Sequence, residues 1–177
     1  MGTVARSIEG LPSRQKEASI SLDTLGALDA EELARLYQGA RVPALSELDG
    51  DLRGRMLVWP SLRGLPVSLL RAAAGQEGFP WRGKSFHWLG EGRGAGINRV
   101  LGDRTRLFPF VTFVGPSRAG RFDAVQLDYD RPENPALIRA IKDEIREVSP
   151  GVYLGQAWLR MGGRERLVLW FGLERRP

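Results

Sequence analysis

Residues 122–173 read FDAVQLDYDRPENPALIRAIKDEIREVSPGVYLGQAWLRMGGRERLVLWFGL, and how this stretch folds decides the architecture. Phe122–Tyr129, Val152–Met161 and Leu167–Leu173 alternate apolar and polar side chains with the two-residue period of a half-buried strand. In the first, Asp123, Val125, Leu127 and Tyr129 share one face; Phe122, Ala124, Gln126 and Asp128 share the other. Gly162-Gly163 joins the last two strands as a hairpin. Between these strands, Asn134 suits an N-cap and Pro135 the first helical position. Leu137, Ile138, Ile141, Ile145 and Val148 follow on one stripe at helical spacing, with charged residues opposite. These signals predict a helix over Asn134–Val148 that ends at Pro150-Gly151.

The segments upstream extend the same pattern. Leu107–Gly115 reads as a strand whose Pro109 requires an edge or a bulge. Ile97–Leu101, Gly83–Leu89 and Leu52–Trp59 are further strands. Asp29, with Glu32 three residues on, caps a helix over Ala30–Gln38 that Gly39 terminates. Pro66 opens a second helix over Val67–Ala74. About seven strands therefore arrive in succession rather than alternating with helices, which argues against a parallel doubly wound sheet. The expected class is mainly β with minor α: an antiparallel meander closing into a small barrel with short helices. Residues 20–177 would form this one domain, after a mobile tail at 1–19. A single sheet packed on the 135–148 helix is the alternative.

Composition narrows the chemistry. The chain has no cysteine, which excludes disulfides, thiolate catalysis and cysteine-ligated metal. His87 is the sole histidine, so a zinc site is not expected and no cofactor is implied. A Ser–His–Asp triad would need His87, and no G-x-S-x-G elbow is present. No apolar run reaches membrane-span length and no signal-peptide core is present, so a cytoplasmic location is expected. The net charge of +5 comes almost wholly from arginine; lysine occurs only at 16, 84 and 142. The arginines are scattered among acids, which argues against nucleic-acid binding.

Three motifs invite chemical readings. Gly78-Phe-Pro-Trp-Arg-Gly83-Lys84-Ser85 matches the phosphate-loop string G-x-x-x-x-G-K-[ST]. It lacks the preceding buried strand and the following helix that phosphate binding requires, so it reads as a chance match. Gly90–Gly96 repeats glycine at every second position and reads as a hairpin loop. Asp128-Tyr129-Asp130 places two carboxylates on one face of a strand end, where they could do acid–base work. The turn sequence that follows favours local backbone bonding instead.

The aromatic residues carry the functional expectation. Large rings on a barrel's inner wall line an apolar cavity, and a few polar groups orient a ligand there. In a narrow barrel the same rings fill the interior. Trp88, Phe110, Tyr129, Tyr153, Trp158 and Trp170 are the candidate wall; Arg99 and Gln156 are candidate polar anchors, beside Asn98 and Gln126.

Short segments also carry a family likeness. They are Tyr37-Gln-Gly39, Gly54-Arg-Met-Leu57, Trp81-Arg-Gly-Lys-Ser-Phe86, Leu127-Asp-Tyr-Asp130 and the final Leu167-Val-Leu-Trp-Phe-Gly-Leu-Glu174. In this order they resemble lipocalin-like (calycin-type) small β-barrel proteins and, distantly, the bacterial GXWXG-type group. The first segment lacks the leading Gly and the Trp of that motif, and Phe79 stands where the second would begin. The resemblance implies a barrel that binds a small hydrophobic molecule such as a lipid, a polyketide-like metabolite or a pigment. It transfers no catalytic residue. An isomerase or cyclase using Asp128 or Tyr129 in the same cavity, and an arginine-rich surface for a macromolecular partner, are the alternatives.

Overall fold

The computed structural model describes residues 20–60, 81–101 and 104–175. The expected tail at 1–19 and the expected helix at 67–74 lie outside the described residues. Eight antiparallel strands close into a barrel in chain order: β1 (Gly50–Val58), β2 (Trp81–Gly90), β3 (Arg93–Val100), β4 (Thr105–Pro116), β5 (Asp123–Asp128), β6 (Ile141–Ser149), β7 (Val152–Met161) and β8 (Arg164–Arg175). Closure is made by β1 pairing with β8, with Gly54 opposite Leu173 and Arg55 opposite Gly172. The expected mainly-β barrel is therefore the fold.

The predicted helix over 134–148 is a strand for most of its length. Only a single turn, α3 (Ala136–Arg139), is helical, and Ile141 then enters β6. β6 pairs with β5 on one side and β7 on the other. A helix here would leave both neighbours with unpaired edges inside the sheet, and the demand for those backbone hydrogen bonds overrides helix propensity. The strand was hidden because both of its faces are covered. From Lys142 to Glu147 every residue is buried although five of the six are charged, so the usual apolar–polar alternation is absent.

Other elements follow the sequence signals closely. α2 (Ala30–Gly39) has a complete capping box: Asp29 accepts from the amides of Glu31 and Glu32, and Glu32 accepts from the amide of Asp29. Pro109 lies in a bulge: Leu107 opposes Asn98 and Phe110 opposes Gly96, leaving Phe108 and Pro109 across from Ile97 alone. Phe108 takes a positive φ of 59° there. Glu91 and Gly92 form the two-residue turn between β2 and β3, both with positive φ. The later glycines of that run lie within β3, where Gly94 makes room for the Thr112 hydroxyl and Gly96 for a ring. A Cβ on Gly96 would meet the Phe110 ring at 2.4 Å.

Two hydrophobic clusters flank the barrel wall. The inner one contains Leu52, Phe86, Phe110, Val125, Leu127, Ile145, Tyr153 and Leu173, with Leu45 and Leu48 from a 3-10 turn (Leu45–Leu48). The outer one joins α1 (Leu22–Gly26) and α2 to the outside of the sheet through Leu22, Leu25, Leu33, Tyr37, Leu154 and Trp170. Among the described residues, no helix is long and apolar enough to cross a membrane.

Candidate functional site

The interior is neither solid throughout nor open throughout. An apolar pocket of about 280 Å³ is walled by Met56, Trp59, Trp81, Val100, Phe108, Ile138 and Phe171, among others. α3 contributes Leu137 and Ile138 to it, and β6 contributes Ile141. The bulge of β4 directs Phe108 to the wall, the kind of re-aiming that bulges provide next to sites.

Four polar side chains meet at this pocket. Alternation along β2, β3 and β6 turns Lys84, Asn98 and Asp143 inward, and Tyr129, just past the end of β5, joins them; all four are buried. Lys84 Nζ donates to Asn98 Oδ1 at 2.9 Å, to the Tyr129 hydroxyl at 2.5 Å and to Asp143 Oδ2 at 3.0 Å. The Tyr129 hydroxyl donates to Asp143 Oδ2 at 3.0 Å, and Trp81 Nε1 donates to Asn98 Oδ1 at 3.0 Å. The rings of Trp81, Phe110, Tyr129 and Phe171 surround Nζ at 5.2–5.5 Å, within cation–π range. The second carboxylate oxygen, Asp143 Oδ1, is buried and has no hydrogen-bond partner among the described residues.

Burial sets the proton affinities of these groups. It pushes the Lys84 ammonium below its usual pKa, against the opposing pull of Asp143. It pushes Tyr129 well above the phenol range, and the nearby Asp143 charge adds to that. Tyr37 and Tyr153, the chain's other two tyrosines, are also raised, burial again being the main cause. The sign for stability follows. Above pH 10 the unfolded chain loses phenolic protons that the native state keeps, so tyrosine-linked stability falls as pH rises. Alkaline titration followed by phenolate absorbance should show no tyrosine ionising near pH 10 in the folded protein. The signal is expected to appear with unfolding, and a tyrosine titrating normally in the native state would contradict this burial.

Of the eight site residues expected from sequence, only Tyr129 lines the pocket. Phe110 and Tyr153 are inside the barrel but belong to its packed part. Trp88 is half exposed at the end of β2. Arg99 lies on the outer face, paired with Asp51 at 2.8 Å and donating to the Leu52 carbonyl. Gln156 also faces outward, accepting from Trp158 Nε1 on the same side of β7. Trp170 is buried under α2, where the Tyr37 ring meets it edge-on at 5.7 Å. Of the further anchors, Asn98 is in the pocket, whereas Gln126 is outside and binds Arg118.

The other motifs resolve structurally. Gly83-Lys84-Ser85 lies within β2, which continues to Gly90 with no helix following, so no phosphate loop exists. Asp128 is ion-paired with Lys142, and Asp130 with Arg139 at 2.7 Å, so the two carboxylates do not form an acid–base pair. His87 is exposed outside the barrel, 3.6 Å from the Asp49 carboxylate. Among the described residues there is no cluster of acidic or histidine side chains able to hold a metal ion. In a second, more open groove Arg41 pairs with Glu47 and Glu147, and Arg175 donates to the carbonyls of Glu47 and Asp49. Sequence reasoning missed Lys84 and Asp143. The first was discarded with the phosphate-loop string; the second was assigned to a helix. One signal was available: Lys84 is one of three lysines in an arginine-rich chain.

An eight-stranded antiparallel barrel with an apolar pocket at its interior is the architecture of lipocalin-like proteins. A crystal structure of a protein from Thermomonospora curvata has the same fold: TM-score 0.51 and 17% identity, over 85% of this chain and 89% of that one. No family model matches the chain, and no curated protein matches it significantly.

Proposed function

We propose that this barrel binds a small, largely hydrophobic molecule in the pocket, with its polar end against Lys84, Asn98, Tyr129 and Asp143. The observation that supports this reading is the contrast within one cavity. The walls are almost wholly apolar, and the buried polar groups converge in a single cluster. Apolar walls supply affinity, and a few convergent polar groups fix orientation. The enzymatic alternative, an isomerase or cyclase in the same cavity, shifts from Asp128 to Asp143 as its proton acceptor. Asp143, a pocket residue, has an oxygen without a partner among the described residues, whereas Asp128 is held by Lys142.

Trp59 and Trp81 line the pocket, so intrinsic fluorescence reports on its occupancy. Titration with 1-decanol is expected to change that fluorescence saturably. Ala157 also lines the pocket, and Ala157→Phe would fill part of it. That variant is expected to unfold cooperatively and to lose about tenfold or more in affinity, at least ~1.4 kcal/mol. Unchanged affinity in a folded Ala157→Phe protein would place binding elsewhere. Native mass spectrometry of the purified protein provides the parallel test, by showing any ligand that co-purifies.

A further inference from the structure

We propose that Lys84 captures an apolar aldehyde or ketone as a Schiff base, making the pocket a carbonyl-specific site. The inference rests on the pocket reading above and adds the chemical class of the ligand. An amine forms an imine when it is sheltered from water, has a proton acceptor in contact, and faces space for the carbonyl carbon. Lys84 meets all three conditions. It is 3% exposed, its Nζ is 3.0 Å from Asp143 Oδ2, and it lines the apolar pocket. Asp143 Oδ1, which has no partner among the described residues, supplies a second, independent observation. A buried carboxylate oxygen with no donor is costly, and here it is available to a proton or to a ligand hydroxyl.

The step balances within this cluster. The Lys84 ammonium passes one proton to Asp143, and the freed lone pair attacks the carbonyl carbon. The C=O π pair moves to oxygen, giving a carbinolamine once that oxygen takes the proton held by Asp143. A second amine proton, relayed through Asp143, reaches the hydroxyl, the C–O bond breaks and water leaves. The product is an iminium that keeps one N–H and still faces the Asp143 carboxylate. Ammonium plus carbonyl has thus become iminium plus water, with no oxidant or reductant. The four surrounding rings stabilise the cation before and after the step.

The chain is well suited to a direct test, because only Lys16, Lys84 and Lys142 could form side-chain imines. Lys142 is engaged by Asp128 outside the pocket. The full-length protein would be incubated with decanal, reduced with borohydride, and read by intact mass and peptide mapping. The expected result is a mass gain of one decyl group per chain, mapped to Lys84, and its loss in Lys84→Met. Excess 1-decanol should suppress the labelling by occupying the same pocket. Labelling confined to Lys16, Lys142 or the chain terminus would overturn the proposal, even if Lys84→Met failed to fold. Saturable 1-decanol binding without any Lys84 adduct would overturn it and leave the pocket reading standing. Absence of both would sink the two together.

Discussion

Asp143→Leu alone is expected to destabilise the barrel by about 3–5 kcal/mol, while Lys84→Met/Asp143→Leu should restore most of that loss. The two side chains are 3% and 6% exposed, so neither charge has water to fall back on. Removing the carboxylate strands an ammonium among Trp81, Phe110, Tyr129 and Phe171. Removing both charges takes away the desolvation cost along with the attraction, and an apolar pair of similar volume fits the surrounding wall. Urea unfolding of the two variants beside the wild type measures both values. A double variant as unstable as Asp143→Leu would show that the pair contributes net stability. The expected recovery would instead mark it as a group retained for what it does at the pocket. The same double variant removes the imine-forming nitrogen, so a stable double variant also serves as the control protein for aldehyde labelling.

Trp170→Ala is expected to cost about 3–5 kcal/mol and to leave 1-decanol affinity unchanged. Trp170 is 1% exposed and packs in the outer cluster, edge-on to Tyr37, rather than at the pocket. Its truncation opens a void between α2 and the sheet, and the surrounding backbone collapses only partly to fill it. Denaturant unfolding gives the first quantity and fluorescence titration the second. A loss of affinity without a loss of stability would return Trp170 to the ligand wall that its sequence position suggested.

The two variants also mark where the sequence was legible. Alternation and flanking turn signals together located seven of the eight strands, with Leu52–Trp59 alternating only imperfectly. Capping chemistry located α2, since Asp29 and Glu32 satisfy backbone groups only three residues away. Pro109 announced its bulge for an equally local reason, the missing amide. β6 was illegible. Lys142, Glu144 and Arg146 are buried on its outer face under neighbouring elements, and Asp143 on its inner face against Lys84. Glu144 there accepts from Ser117 and from the amide of Arg118, partners more than twenty residues away in sequence.

The candidate site was harder to read than the fold. Ring type and strand location select aromatics well, but the side of the wall depends on strand parity, and parity changes at every bulge. Trp158 and Trp170 are large, sit on strands and look like pocket residues, yet both are outside. Lys84 and Asp143 look like surface charges and are inside, 59 positions apart in sequence.

The sequence by itself determined the mainly-β class, the antiparallel succession of strands, the turns and the capped helix, because periodicity, caps and backbone restrictions act over a few residues. Tertiary structure alone decided that residues 141–149 would be a strand and that an apolar pocket of about 280 Å³ would remain in the interior. It also decided which charges would be buried together. Those outcomes depend on pairing and desolvation between residues far apart in the chain, and only closing the barrel brings them together.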